Sequence, residues 1–287
     1  MLMNRIVKNI GRRKDVLFGN AGLTLPEKLF IVSGVKIDDR AMKVLMHKIV
    51  GTSPGERYFQ LGKIKIYFDA DYPINDFSYF MKGVTRVVAE TFLEPVSFPD
   101  HVKINAGDVV LDVGGCIGTT SICFHNLVGE RGKVYAFEPV THELLKKNLR
   151  ENGIKNVEVI SKGVSEHSGK AQIEVSDYCL DSSITERDYT QDYYSTKKEI
   201  ELTTLDEVAE ELCLDRVDFI KMDIEGAEQL AIRGADRLIK RFLPKWSISS
   251  YHIDFNNEPQ HPKLVSILRE YGYKIEETEG FHIYAWK

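Results

Sequence analysis

Residues 109–121, Val-Val-Leu-Asp-Val-Gly-Gly-Cys-Ile-Gly-Thr-Thr-Ser, run from a buried-strand pattern through three glycines into the start of a helix. No other stretch narrows the fold so far. An apolar run closed by Gly114, Gly115 and Gly118 makes a strand–turn–helix that turns backbone N–H groups toward a ligand. Several nucleotide-like ligands suit such a turn, so its flanking residues have to choose among them.

The sequence that follows repeats the theme. Strands are expected at 109–114, 133–138, 157–161, 217–223 and 246–251, with helices at 118–128, 141–152, 205–213 and 227–241. Such alternation implies a parallel sheet covered by helices on both faces. Two further strand-like pieces, 170–176 and 198–204, sit in an insertion between the third and fourth strands. Residues 271–287 hold two short strand patterns joined at Glu279-Gly280, which reads as a terminal hairpin with an antiparallel last strand.

Residues 1–100 differ. Helical apolar spacing over 41–50 is broken at 52–55; 57–70 reads as a hairpin and 75–96 as a helix stopped by Pro95. The expected organisation is a mixed extension or cap over 1–100 and an α/β domain over 101–287.

A dinucleotide site carries Gly-x-Gly-x-x-Gly with an acid about twenty residues on. Here the order is Gly-Gly-x-x-Gly, Asp112 precedes it, and the second strand ends in Glu138-Pro139. An acid at Glu138 can accept the two hydroxyls of a ribose. Asp112 would repel a pyrophosphate and attract a cation. S-adenosylmethionine, with its ribose, ammonium and sulfonium, therefore fits better than NAD. The expected cofactor contacts are Asp112, Gly114, Gly115, Cys116, Gly118, Glu138 and Pro139.

Composition excludes other classes. A net charge of −5 and a pI near 6.0 give no general attraction to nucleic acid or anionic membrane. No apolar run is long enough to span a bilayer, and the first residues lack the apolar core of a secretory signal. The four cysteines, Cys116, Cys123, Cys179 and Cys213, form neither a disulfide framework nor a zinc pattern, which suits a reducing compartment such as the cytoplasm.

Four segments together, 108–121, 133–152, 200–208 and 217–235, resemble the FkbM family of S-adenosylmethionine-dependent methyltransferases. The most specific piece is Thr204-Leu205-Asp206 followed by Phe-Ile-Lys-Met-Asp-Ile-Glu-Gly-Ala-Glu at 219–228; the likeness covers roughly residues 104–253. The resemblance implies a Rossmann-like class I methyltransferase fold, with a seven-strand, mostly parallel sheet whose last strand is antiparallel. It also implies methyl transfer, usually to a hydroxyl of a sugar or secondary metabolite. Ser182 and Ser183 resemble a serine pair that the family places near the cofactor. Many members carry a glutamate after the fifth strand, where this chain has Ser-Ile-Ser-Ser-Tyr-His-Ile-Asp; Tyr251 and His252 are the nearest substitutes.

An alcohol is a poor nucleophile until its proton is accepted, so a base or a metal near the methyl group helps. Asp223 ends an apolar strand at the edge where open α/β sheets bind ligands, and a carboxylate there needs a partner. Glu225 and Glu228 follow it; Glu228 suits a helix N-terminus, and Glu225 suits that role or a functional one. His252 is either a base or a hydrogen-bonded structural group. A Mg²⁺ site of Asp223, Glu228 and His252 is conceivable, but nothing in the spacing demands it and no metal is expected.

The expectation is thus an O-methyltransferase acting on a small-molecule or glycan acceptor, with Asp223, His252 and Glu225 at the methyl-transfer centre. Competing readings are a nucleic-acid or protein methyltransferase, an NAD-linked oxidoreductase, and a non-catalytic binding module. The first lacks an Asp/Asn-Pro-Pro-Tyr/Phe segment after the fourth strand, and the loop disfavours the second. Acceptor specificity is assigned to residues 1–100, 166–200 and 251–262.

Overall fold

The computed structural model describes residues 50–53, 56–61, 64–68, 98–176, 195–254, 256–278 and 282–287. The chain divides into two compact units, 1–97 with 147–153 and 98–146 with 154–287.

In the first unit, β1 (Val50–Ser53), β2 (Glu56–Leu61) and β3 (Ile64–Phe68) form an antiparallel sheet in that order. The hairpin expected over 57–70 is β2–β3, paired from Arg57 opposite Phe68 to Leu61 opposite Ile64. Residues 50–53 depart from the expected helix and break: they pair with β2, Val50 opposite Phe59, because a partner strand outweighs local helical spacing. Residues 41–49 and the helix expected over 75–96 lie outside the described residues. On the far side of β3, Asn148 bonds both the N–H (2.7 Å) and the carbonyl (3.0 Å) of Tyr67. Asn152 does the same for Lys65, at 2.9 and 2.7 Å.

The second unit carries the expected α/β alternation. Its main-sheet strands are β4 (Val109–Val113), β5 (Lys133–Phe137), β6 (Val157–Ile160), β10 (Phe219–Met222), β11 (Lys245–Ser249), β12 (Lys274–Glu277) and β13 (His282–Trp286). They lie in the order β12-β13-β11-β10-β4-β5-β6. β6, β5, β4, β10 and β11 are mutually parallel, whereas β13 runs antiparallel between β11 and β12. This is the seven-strand, mostly parallel sheet with an antiparallel last strand.

The insertion forms its own sheet of β7 (Gly163–Val164), β8 (Gly169–Ser176) and β9 (Ser195–Thr203), and the two strand-like pieces expected there pair antiparallel as β8 and β9. The helices are α1 (Thr119–Val128), α2 (His142–Glu151), α3 (Leu205–Glu211), α4 (Glu228–Arg233), α5 (Asp236–Phe242) and α6 (His261–Glu270). The helix expected over 227–241 is two. Gly234 sits where a side chain would meet the Ser165 carbonyl at 2.1 Å, and its own carbonyl accepts from Asp206, so the helical ladder stops there. Helix α6, for which the sequence reading had no counterpart, starts with Pro262 in its first turn and buries Leu264, Val265 and Leu268.

Trp246, Phe124, Phe137 and Phe219 are among the largest fully buried side chains. Residues 119–124 of α1 are all buried, and Cys123 packs there as a small apolar group. Register sets the site. Val113 lies opposite both Phe137 and Met222, and Met222 opposite Ile248, so β4, β5, β10 and β11 end in one row. Residues just beyond that row share one edge of the sheet.

Candidate active site

Beyond β4 the chain turns at Gly114, which has φ +87°; a Cβ there would lie 2.0 Å from the Asp223 carbonyl oxygen. Only glycine lets the ends of β4 and β10 close so tightly. The N–H groups of Gly114 and Gly115 both donate to the Phe137 carbonyl at 3.0 Å. A side chain on Gly115 would strike Leu145 at 2.8 Å. Cys116 is half-buried with φ +48°, and Gly118, φ +94°, leads into α1. The loop is a close backbone approach rather than slack.

Asp112 is fully buried. It accepts from Ser121 Oγ at 2.5 Å, and Lys221 Nζ lies 3.4 Å from its other oxygen. Burial pushes its pKa up, and Lys221 works against that. Lys221 in turn donates to the Gly114 carbonyl at 2.7 Å. The cation that Asp112 meets is therefore Lys221, where the sequence reading placed one from the ligand, and its bearing on the loop runs through that lysine. A lysine inside the apolar strand Phe-Ile-Lys-Met was the signal for it, since a buried ammonium requires a partner.

Glu138, mostly buried, lies at the end of β5. Its Oε2 accepts from Cys116 N at 2.9 Å, and its Oε1 from Val140 N and Thr141 N at 2.8 and 3.0 Å. A carboxylate has about four acceptor sites, so one is left for a ribose hydroxyl, and a second hydroxyl must displace a backbone donor. Thr141 Oγ1 donates to the Cys116 carbonyl at 3.0 Å, and the Pro139 carbonyl lies 3.2 Å from His142 Nδ1. The acid, the two loops and the excluded side chains fit a nucleoside that bears a ribose. Ser182 and Ser183 lie outside the described residues.

Asp223 and His252 follow β10 and β11, neighbouring parallel strands. Their side chains meet: His252 Nε2 is 3.6 Å from Asp223 Oδ1 and 3.4 Å from Glu225 Oε2. Glu225 adopts φ +55°, a left-handed conformation uncommon for a glutamate. His252 Nδ1 bonds Glu228 Oε1 at 2.9 Å. Glu228, fully buried in the first turn of α4, also accepts from Ile224 N, Gly226 N and Gln260 Nε2. It anchors the imidazole. Burial alone would lower the His252 pKa, but the Glu225 and Glu228 carboxylates raise it to about 10. Gln260, itself fully buried, gave no sign of this role in the sequence. Tyr251 is exposed, with its ring centroid 4.2 Å from that of His252. The structure thus brings Asp223, Glu225 and His252 together, and joins them to the glycine loop through the contact of Gly114 with Asp223.

Comparison with known proteins bears on this arrangement. The chain is similar to methyltransferase sdnD of Sordaria araneosa, 22% identical over 233 residues that cover 69% of this chain and 86% of that protein. It is 35% identical over 83 residues to a protein-L-isoaspartate O-methyltransferase of Methanococcoides burtonii, covering 27% of this chain and 41% of that protein. Among solved structures, methyltransferase FkbM of Methylobacillus flagellatus KT aligns with TM-score 0.46 and 19% identity over 70% of this chain, which spans 48% of that longer protein. The family model described as the methyltransferase FkbM domain matches residues 112–275, more than half of the chain. The chain belongs to the FkbM family of methyltransferases, with S-adenosylmethionine as its methyl donor.

Proposed function

We propose that the protein transfers a methyl group to a hydroxyl oxygen of a sugar, glycan, glycolipid or secondary metabolite. One observation carries this: the 3.6 Å approach of Asp223 to His252 at the ends of adjacent strands, beside the strands that hold the nucleoside loop. An alcohol gives up its proton as its oxygen attacks, and a carboxylate at that point accepts it.

When bound, S-adenosylmethionine supplies a methyl group on a positively charged sulfur, which departs as a neutral thioether. The backbone of Gly114, Gly115, Cys116 and Gly118 and the flanking Pro139 shape its place, and Glu138 accepts from its ribose. Asp112 holds the loop through Lys221. Asp223 takes the acceptor's proton. His252, fixed by Glu228, points its Nε2 between the Asp223 and Glu225 carboxylates.

In this reading residues 1–100 are a mixed extension and 101–287 the catalytic domain. The net charge of −5 supports a small-molecule or glycan acceptor over nucleic acid. Among the described residues no helix is long and apolar enough to cross a membrane. Among the described residues the thiols of Cys116, Cys123 and Cys213 support a reducing compartment, the cytoplasm. The test is methyl transfer from isotopically labelled S-adenosylmethionine to a panel of hydroxylated glycans, glycolipids and metabolites. Label recovered as a methyl ether supports the reading; label found only on nitrogen, sulfur or carboxylate oxygen rejects it.

A further inference from the structure

The acid–imidazole cluster has the form of a cation site. One ligand atom from each of Asp223, Glu225 and His252, residues beyond two strand ends, lies within 4.8 Å of the others. The sequence offered Glu228 as a conceivable third ligand, with nothing in the spacing to demand it; Glu228 in fact faces the opposite ring nitrogen. It binds Nδ1, which leaves Nε2 aimed between the other two carboxylates.

Nε2 belongs to a side chain only 1% exposed, and among the described residues it has no hydrogen-bond partner. Such a buried polar atom requires a reason. Its separations of 3.6 and 3.4 Å from carboxylate oxygens exceed a good hydrogen bond. The 3.4 Å separation reaches, and the 3.6 Å one slightly exceeds, the spacing of about 3.0–3.4 Å between adjacent ligands that each lie about 2.1 Å from one ion. A carboxylate on the far nitrogen of the imidazole is the usual outer partner of a metal-binding histidine, and it fixes the ring and its tautomer. Three carboxylates around one imidazole also carry more negative charge than a ring proton can balance.

We propose that Asp223, Glu225 and His252 Nε2 form a site for one divalent first-row transition cation. The imidazole favours Mn²⁺, Fe²⁺, Co²⁺ or Zn²⁺ over Mg²⁺ or Ca²⁺, which prefer all-oxygen surroundings. Glu225, at 16% side-chain exposure, is the most open of the three and marks the side of entry. Three protein ligands leave positions for water or an acceptor oxygen. The role of the ion rests on the O-methyl reading: a cation there would bind the acceptor hydroxyl and make its proton easier to remove, the proton passing to the second carboxylate oxygen of Asp223. Binding itself does not depend on that reading.

Titrating the full chain, stripped of metal by a chelator, with Mn²⁺ under electron paramagnetic resonance tests the site. The expected result is one Mn²⁺ per chain, displaced by Zn²⁺, with affinity at least tenfold weaker in Asp223→Asn and in Glu225→Gln. Calorimetric binding of S-adenosylmethionine by each variant confirms that it is folded, and if Asp223→Asn is not, Glu225→Gln carries the test. Absence of Mn²⁺ and Zn²⁺ binding by the wild-type chain, or unchanged affinity in the folded variants, overturns the proposal. Methyl ether formation that persists in excess chelator overturns the role given to the ion while leaving O-methylation standing. Failure to methylate any hydroxyl would sink the O-methyl reading and leave the Mn²⁺ titration to decide the site.

Discussion

Gly114 rests on the carbonyl of Asp223, so closely that the Cβ of any other residue would lie 2.0 Å from that oxygen. The turn proposed to receive the nucleoside and the residue assigned to the acceptor proton are thus mechanically one piece. Gly114→Ala combines this overlap with φ +87°. It should destabilise the fold by about 2–5 kcal/mol, from left-handed strain and overpacking together. Chemical denaturation of the variant beside the parent checks this, and an unchanged midpoint would mean the strands part easily.

Glu138 ties three backbone N–H groups of two loops. Glu138→Ala should weaken S-adenosylmethionine binding about ten- to a hundredfold, the worth of charged hydrogen bonds of about 1.5–3 kcal/mol. Titration calorimetry reads this directly. Equal affinity in parent and variant would reduce Glu138 to a fastener of the loops.

Asp223→Asn keeps the volume and removes the proton-accepting charge. Turnover should fall by about 10²–10⁴, with cofactor affinity nearly unchanged. Single-turnover measurements separate the two quantities, and retained turnover would leave alignment as the whole source of catalysis.

Much of this was legible in the sequence. Buried parallel strands are short apolar runs, and those from 109 to 251 stand out because glycines and acids close them. Asp223 and His252 were legible as a pair because each follows a strand, and parallel neighbours put their ends together. The rest depends on long-range packing. Gly234 divides α4 from α5 only because Ser165, far away in sequence, occupies the space beside it. Val50 ends a stretch of helical spacing and residues 52–55 read as a break, yet 50–53 pair as a strand. Gln260 was unreadable for a similar reason, since its role follows from reaching a carboxylate 32 residues earlier.

Glu228 anchors a buried imidazole that is 1% exposed. Glu228→Leu strands that group together with the amide of Gln260, and should cost about 3–5 kcal/mol. Adding His252→Phe should recover part of the loss. Denaturation of the single and double variants gives the coupling, and additive costs would show that the two side chains act independently.

His282 sits on β13 with Nε2 2.8 Å from Ser247 Oγ, and burial lowers its pKa from 6.5 to about 4. Between those values the unfolded chain takes up a proton that the folded chain refuses. Stability should therefore fall as the pH drops from 6.5 to 4, by up to about 3 kcal/mol from this residue. Urea unfolding at pH 7 and pH 4.5 should show a smaller drop for His282→Gln than for the parent; an identical drop would assign the acid sensitivity elsewhere.

The asparagine amides that bond Lys65 and Tyr67 have a further effect. An outermost strand with idle N–H and carbonyl groups is a template on which another chain can crystallise its own backbone. Each amide offers one donor and one acceptor, which is what a neighbouring peptide unit offers, so Asn148 and Asn152 imitate two residues of a fourth strand. They complete β3 without lengthening the sheet. Two polar side chains, one in helix α2 and one just past its end, thereby guard this edge against fibrous self-association, a burden that sheets more often meet with charge or proline.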